Sequence, residues 1–260
     1  MGNNTVADLL ASFPRVRRPL PEAHATRYVK EYQSNRSGRG ALFSVTAALE
    51  SWMHRKVAAQ PKTHGAPETG ESAILELGAG TLNHLRYEPP AAIYDVVEPF
   101  RVLWQDSPDR PRIRSFYDDI REVPEQNRYH RILAVAVLEH LVDLPAVVAE
   151  CGIRLTPDGR LQIGIPTEGG ALWGAAWRCT TGVAYRLRTG LDYGELMRHE
   201  HVNTAKEILQ VLGYFFDEVK LSRFPLPAYH LSFYTYIDAS KARRDRCLEV
   251  IRTRSKARAS

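Results

Sequence analysis

The residues of this sequence that could do chemistry are one acid that follows a pair of glycines and two histidines. Glu98 ends an apolar run and lies eighteen residues after Gly80. In a strand–helix–strand unit, that spacing brings a carboxylate beside the glycine turn, where it could accept hydrogen bonds from both hydroxyls of a ribose. His140 and His201 could each take a proton from a bound hydroxyl group, because an imidazole titrates near neutral pH.

Both histidines also have ordinary structural explanations. His140 stands at the end of a predicted strand, where it could cap the next helix or pack beneath a ligand. His201 precedes Asn203-Thr204, which resembles the N-cap of a helix predicted from Ala205 to Leu212 and ended by Gly213. The sequence therefore leaves the catalytic and the structural interpretation open for each ring.

Five apolar runs predict the strands that must position these groups, and each run ends in a polar or turn cluster. They cover residues 74–77, 91–97, 113–117, 131–136 and 159–166. The first run is continuously apolar rather than alternating, which is typical of a strand covered on both faces. The carboxyl ends of parallel strands share one edge of a sheet, so we expect the polar clusters to meet there.

The first strand leads into Gly78-Ala79-Gly80, which predicts a tight turn before a helix. Glycines permit a sharp bend and a close approach of the backbone to a ligand, which a Cβ would block. Gly-x-Gly alone is weak evidence, because glycines mark many ordinary turns. A dinucleotide fingerprint would place a third glycine where Asn83 stands, and this disfavours an NAD(P)-dependent or flavin oxidoreductase.

From about Ala73 to Pro166 the sequence resembles class I S-adenosylmethionine-dependent methyltransferases of the small-molecule type, similar to methyltransferase types 11 and 12. The matching motifs are Glu76-Leu77-Gly78-Ala79-Gly80, Glu98, Asp119 followed five residues later by Pro124, Val137-Leu138-Glu139-His140, and Leu155-x-Pro157-x-Gly159. The resemblance implies an α/β fold with a Rossmann-like seven-stranded sheet, mostly parallel with the last strand antiparallel, flanked by helices. It also implies S-adenosyl-L-methionine as the cofactor.

The same resemblance implies a role for each matching position. Residues of the glycine turn would face the methionine part of the cofactor, an acid after the second strand would hold the ribose, and an acid after the third would meet the adenine amine. The implied cofactor-binding residues are Glu76, Gly78, Ala79, Gly80, Glu98, Pro99, Asp119, Ile120, Ala136 and Val137. The sequence departs from the family at His130, where an Asp often opens the fourth strand.

No metal is predicted. Some O-methyltransferases of this fold hold a divalent cation with an acid and a Glu-His pair, but Ala136 stands at the position of that acid. His199 and His201 are spaced as a ligand pair could be, yet no third ligand stands at a standard spacing.

The resemblance divides the chain into an N-terminal helical cap and connector (1–72), a methyltransferase domain (73–240) and a basic C-terminal tail (241–260). Residues from about 167 to 203 form an insertion after the fifth strand, too long for an unsupported loop, and we expect a helical lid over an acceptor site. Its indoles could stack on a ring and its arginines could pair with carboxylate or phosphate.

The cap contains two predicted helices, one starting near Ala23 and an amphipathic one from Ala41 to Ala59. In the resembling family such helices commonly close over the cofactor. Tyr28, Tyr32 and Arg36 are therefore candidates to contact the cofactor carboxylate or the acceptor, although a plain packing helix fits as well. Residues 215–221 and 231–237 predict a hairpin that completes the sheet.

Composition predicts a cytoplasmic protein. No apolar stretch reaches the roughly 20 residues that span a bilayer, and no signal peptide is evident. Much of the net charge of +5 lies in the C-terminal tail, which predicts a solvated helix or a weak attraction to an anionic membrane surface. Aromatic residues are not interleaved with these charges, so no nucleic-acid partner is predicted.

The predicted function is O-methylation of a small-molecule acceptor. The stretch from Pro166 to His201 resembles bacterial methyltransferases that serve cell-surface sugars and natural products, so the expected acceptor is a sugar hydroxyl or a secondary metabolite. The alternative is a non-catalytic subunit or sensor that binds S-adenosylmethionine or S-adenosylhomocysteine.

Overall fold

The computed structural model describes residues 5–25, 43–59, 72–90 and 93–259, and for residues 43–50 and 258–259 the backbone alone. Seven strands form one sheet: β1 (Ala73–Leu77), β2 (Ile93–Val97), β3 (Ser115–Tyr117), β4 (Tyr129–Val135), β5 (Leu155–Pro166), β6 (Phe216–Pro225) and β7 (Ser232–Ala242). Their order is β3-β2-β1-β4-β5-β7-β6. The first five strands are parallel, and β7 is antiparallel to both β5 and β6, so the predicted fold class is confirmed.

Helices cover both faces of the sheet. They are α1 (Val6–Ala11), α2 (Phe43–Ala58), α3 (Leu144–Arg154), α4 (Ala171–Trp177), α5 (Val183–Thr189), α6 (Tyr193–Glu200), α7 (Ala205–Phe215) and α8 (Arg244–Ala259). Successive side chains of a strand point to opposite faces. Accordingly Ile132 of β4 packs into one hydrophobic core with α3, α7 and α8, whereas Leu133 packs into a second core with α2.

Several boundaries differ from the predicted ones. Strand β4 ends before Ala136, because Ala136 turns into the left-handed region at φ 55° while its N–H donates to the carbonyl of Gly164. Helix α7 does not end at Gly213 but continues to Phe215. A glycine inside a helix costs about 1 kcal/mol relative to alanine, and burying the whole Phe215 side chain outweighs that cost.

The basic C-terminal segment forms α8, which packs against α3. Cys247 anchors it: the thiol is buried, and a Cβ on Gly152 of α3 would come within 2.6 Å of its Sγ. The segment expected to form a lid is helical: a π-helical turn from Arg178 to Gly182 joins α4 to α5, and α6 follows after Gly190. Across the described parts of the chain, no helix has the length and apolarity to cross a bilayer.

Three of the predicted ligand contacts, Tyr28, Tyr32 and Arg36, lie outside the described residues. His130, the departure from the family pattern, has a structural part to play. Its Nδ1 accepts a hydrogen bond from the backbone N–H of Ala73 at 3.2 Å, which connects the starts of β4 and β1.

A buried ion pair lies on the face of the sheet that α2 covers. Arg131 of β4 donates both terminal nitrogens to the carboxylate of Glu88, at 2.6 and 3.0 Å, and its Nε to Gln162 of β5 at 2.7 Å. Burial opposes ionisation of Glu88, but the bonds from His84 and Arg131 outweigh it and lower the pKa of Glu88. The pair therefore fastens the loop after β1 to the centre of the sheet.

Arg131→Ala should destabilise the fold by about 3–5 kcal/mol, because it leaves the Glu88 carboxylate buried without the guanidinium that pairs with it. Urea denaturation followed by circular dichroism measures the free energy of unfolding. Arg128→Ala is the control: Arg128 is exposed and bonds only to carbonyls of its own loop, so a change within about 0.5 kcal/mol is expected. Equal losses in the two variants would contradict a structural role for the ion pair.

Candidate functional site

A cleft of about 920 Å³ lies at the carboxyl ends of β1, β2 and β4. In the sheet, β1 lies between β2 and β4, and the direction of winding changes between β1 and β4. In open α/β sheets such a switch point leaves a crevice, because the flanking connections run to opposite sides. The cleft volume falls within the roughly 300–1,000 Å³ of small-molecule sites.

The glycine turn after β1 forms the floor of this cleft. Gly78 has φ 62°, which is strained for other residues, and a Cβ there would lie 2.5 Å from Cγ2 of Val137 and would have to displace that side chain. Gly80 has φ 53°, and a Cβ on it would meet no atom within 4 Å. The missing side chain of Gly80 thus leaves open space against the backbone, which suits close approach of a ligand.

Glu98 follows β2 and is only 2% exposed. Its Oε2 accepts the N–H of Gly80 at 2.9 Å, and its Oε1 accepts the N–H of Phe100 at 3.0 Å. Each oxygen of an ionised carboxylate can accept two hydrogen bonds, so one acceptor position remains on each. Glu98 is therefore fixed in orientation and able to accept two hydroxyl groups from the cleft.

Glu76 lies in β1 beside the glycine turn and lines the same cleft. Its carboxylate accepts a hydrogen bond from the hydroxyl of Tyr94 at 2.7 Å. Burial raises the pKa of Glu76, and the bond from Tyr94 and the charge of His84 only partly offset this. A positively charged group in the cleft would favour the ionised form of Glu76.

Asp119 lines the cleft after β3 but is already engaged. Its side chain accepts the N–H of Arg121 and forms an ion pair with the guanidinium of that residue. The hydrogen bond from Arg121 lowers the pKa of Asp119 despite partial burial. Ile120 is buried behind it and supplies an apolar wall. The remaining predicted residues of the cofactor set, Ala79, Pro99, Ala136 and Val137, also line the cleft.

The two histidines meet at the lid side of the sheet. Their rings are perpendicular, with centroids 4.8 Å apart. Nδ1 of His140 lies 3.0 Å from the carbonyl of Glu200, and Nδ1 of His201 lies 3.0 Å from Oε2 of Glu168. Carbonyl and carboxylate oxygens only accept, so both Nδ1 atoms donate and Nε2 carries the lone pair of each neutral ring. His140 lines the cleft, whereas His201 lies behind it in a smaller cavity of the lid.

Backbone contacts hold the two rings together. The amide of Asn203 donates to the carbonyls of Leu138 and Leu141, at 2.8 and 2.7 Å, and so fastens the loop before α7 to the turn after β4. From the N-terminal segment, Arg17 donates to the carbonyls of His140 and Glu200, and also of His199. In the described ranges, no three His, Cys, Asp or Glu side chains cluster as a metal site.

Two residues of this region were missed from the sequence, Arg17 and Glu168. The sequence could have indicated Glu168 as a site residue, because it follows the end of β5 as Glu98 follows the end of β2. Arg17 had none, since it lies in an irregular segment more than one hundred residues before its partners.

Glu168→Gln should lower the pKa of His201. Burial disfavours the imidazolium, but the bond to Glu168 and the charges of Glu139 and Glu200 outweigh burial and raise the pKa of His201 above its ordinary value. Without the negative charge of Glu168, burial of the imidazolium should have the larger effect on the pKa of His201 and lower it. NMR titration of the imidazole protons measures the midpoint, and Glu195→Gln, which changes an acid of α6 paired with Arg198, is the control. If the titration midpoint of His201 stays the same in Glu168→Gln, the carboxylate of Glu168 does not control the pKa of His201.

No protein-family model matches the sequence, and no curated protein matches it. Solved structures do match in fold. A possible histamine N-methyltransferase from Thermotoga maritima matches with a TM-score of 0.56 and 17% identity, over 83% of this chain and 96% of that one. The plantazolicin methyltransferase BpumL, solved with a monoazolic desmethylPZN analog and S-adenosylhomocysteine, matches with a TM-score of 0.55 and 12% identity, over 90% and 97%.

An O-methyltransferase family protein from Burkholderia thailandensis matches with a TM-score of 0.54 and 13% identity, over 91% of this chain and 68% of that one. The chain spans about half the length of two further matches, the CurJ carbon methyltransferase (50%) and the citrinin polyketide synthase CMeT domain (48%). At identities of 12–17%, the similarity to the first three structures concerns architecture alone, and it agrees with the observed strand order and the antiparallel β7. The chain therefore has the fold of the class I S-adenosylmethionine-dependent methyltransferases.

Proposed function

We propose that this protein is an S-adenosylmethionine-dependent methyltransferase that acts on a small-molecule acceptor. The observation that carries the proposal is the arrangement of Glu98 and Gly80: a buried carboxylate, oriented by two backbone N–H groups, beside a glycine turn that opens on a cleft. That combination suits a ribose next to an extended tail. Support also comes from the fold, since the BpumL neighbour was solved with S-adenosylhomocysteine.

The residues present fit this cofactor. Gly78 and Gly80 would carry its amino-acid tail over their exposed backbone, Glu98 would accept its ribose hydroxyls, and Asp119 with Ile120 would border its adenine. When bound, the cofactor supplies a methyl group that its positively charged sulfur has already activated. The protein is then left to orient the acceptor and to exclude water.

An oxygen acceptor also needs its proton removed, and the histidine pair provides the group for this step. In neutral His201, Nε2 can take a proton from an acceptor hydroxyl, while Glu168 holds the Nδ1–H and stabilises the resulting imidazolium. His140 has the same tautomer through the Glu200 carbonyl and faces the cleft. O-methylation of a sugar or a secondary metabolite is therefore the reaction that these residues support best.

The competing function is a subunit or sensor that binds the cofactor, or its demethylated product, without transferring methyl. Glu168 and His201 favour the enzyme, because a binding module has no need of a charge-supported histidine beside the cleft. Incubation with S-adenosylmethionine carrying a radiolabelled methyl group and a pooled small-molecule extract separates the two functions. Label in an extracted product indicates the enzyme.

An oxidoreductase is disfavoured by Asn83, which lines the cleft in place of a third glycine.

Glu98→Ala should weaken binding of S-adenosylhomocysteine about tenfold or more, because hydrogen bonds to a charged group contribute about 1.5–3 kcal/mol. Isothermal titration calorimetry measures the affinity. Glu98→Gln should lie between wild type and Glu98→Ala, since an amide keeps one acceptor oxygen. Asp106→Ala removes an exposed acid away from the cleft and should bind as wild type does. Unchanged affinity in Glu98→Ala, with the protein folded, would remove the ribose assignment.

His201→Ala should lower kcat by about 10²- to 10⁴-fold, the usual contribution of general acid–base catalysis, and leave the affinity for S-adenosylhomocysteine unchanged. In wild type the rate should rise with pH through a midpoint above the pKa of an ordinary histidine, because His201 must lose its proton first and its pKa is raised. Glu168→Gln should move that midpoint downward. His140→Ala tests the other ring by the same assay. If neither histidine variant slows turnover, alignment alone or another base drives the reaction.

A further inference from the structure

A second cavity, of about 370 Å³, lies between α4 and α6, and we call it the lid pocket. Its wall on the α4 side includes Trp173, Trp177 and Arg178, and its wall on the α6 side includes Arg198 and His201. On each helix the lining positions recur at intervals of three or four residues, so one face of each helix points into the same space.

Small residues keep this space open. Gly170, Ala171 and Gly174 face it from α4 and its N-terminal end, and Gly194 faces it from α6. Gly174 also shapes the site, because a Cβ there would come within 2.7 Å of Nη1 of Arg178. That nitrogen donates to the carbonyl of Gly174 at 2.8 Å. The absence of a side chain at 174 therefore seats the guanidinium against the helix.

In the part of the chain that the structure describes, no acid forms an ion pair with Arg178. Its guanidinium lies 4.4 Å from the ring centroid of Trp177, and none of the ion pairs among the described residues includes it. Arg198 differs, since it pairs with Glu195 at 2.6 Å and Asp192 at 3.6 Å. An exposed cation stacked on an indole, with N–H groups left to donate, is suited to a carboxylate or phosphate.

Glu168 is the acid among the described residues that line the lid pocket, and its carboxylate is already hydrogen-bonded. Its Oε2 accepts from Nδ1 of His201 at 3.0 Å and from Nε1 of Trp173 at 2.5 Å. These bonds also fix the indole of Trp173 as one flat wall. His201 then connects the lid pocket to the cleft, because its ring contacts that of His140, which lines the cleft.

We propose that the lid pocket binds an anionic group of a ring-bearing acceptor. The carboxylate or phosphate pairs with Arg178, the ring lies against the indoles of Trp173 and Trp177, and the acceptor hydroxyl is directed towards His201. Both an aromatic acid and an acidic sugar have this chemistry. Binding of the anionic group in the lid pocket does not depend on the proposed methyltransferase function. Only the role of the bound molecule as a methyl acceptor rests on that function.

The test compares matched anionic and neutral probes in the presence of excess S-adenosylhomocysteine. One pair is 4-hydroxybenzoate and 4-hydroxybenzamide, and the other is glucuronate and glucose. Calorimetry or saturation-transfer NMR gives the affinity of each probe. In at least one pair the anion should bind about tenfold more tightly than the neutral probe, the effect expected of a charge-assisted hydrogen bond. The pair that shows the preference distinguishes the aromatic from the sugar source.

Arg178→Gln should abolish this preference, bringing the two members of the pair to within about twofold of each other. Arg186→Gln is the matched control, because Arg186 is an exposed arginine of α5 that lines none of the described cavities, and it should keep the preference. Trp177→Leu should weaken the binding of both probes of the pair, since it removes the indole against which the ring of the probe lies and on which the Arg178 guanidinium stacks.

The proposal is overturned if no anion outbinds its neutral partner, or if the preference persists in Arg178→Gln. The two proposals fail separately. If the protein binds S-adenosylhomocysteine but shows no anion preference, only the lid-pocket proposal is ruled out. If the protein shows an Arg178-dependent anion preference but does not bind S-adenosylhomocysteine titrated without a probe, the lid-pocket proposal is supported and the methyltransferase proposal is ruled out.

Discussion

The reversal of winding between β1 and β4 is the constraint on which the rest of the site depends. Connections from β1 lead outward to β2 on one side, and the later strands lie on the other, so the ends of β1 and β4 border a gap, which is the cleft. The chain must also bend sharply at those ends. Gly78 and Ala136 do so with positive φ angles, and the absence of a Cβ on Gly78 lets Val137 pack against it.

Hydrogen bonds to backbone groups then turn this gap into a defined site. Glu98 is oriented by two N–H groups, and the loop that carries His201 is fastened to the turn after β4 by the amide of Asn203. Arg17 adds a third connection from the N-terminal segment. Because each of these hydrogen bonds has a main-chain group at one end, the positions of the functional groups depend on the fold more than on the identity of neighbouring side chains.

The sequence predicted the elements whose signals are local. A continuous apolar run before Gly78 and the acid at Glu98 are sufficient to place a strand, a turn and a second strand, since strand formation and turn geometry depend on neighbouring residues. Predictions failed where packing overrides local preference. Helix α7 passes through Gly213 because Phe215 is buried, and β4 stops at Val135 because the next residue must bend.

Alone, the sequence determined the fold class, the order of the strands along the chain and the set of residues at their carboxyl ends. Only the tertiary structure decided which of those residues meet. Glu168 and His201 are 33 residues apart and Arg17 is 123 residues before His140, and no periodicity connects such positions. Likewise, the lack of an acidic partner for Arg178 among the described residues depends on how side chains pack in space, which no linear pattern encodes.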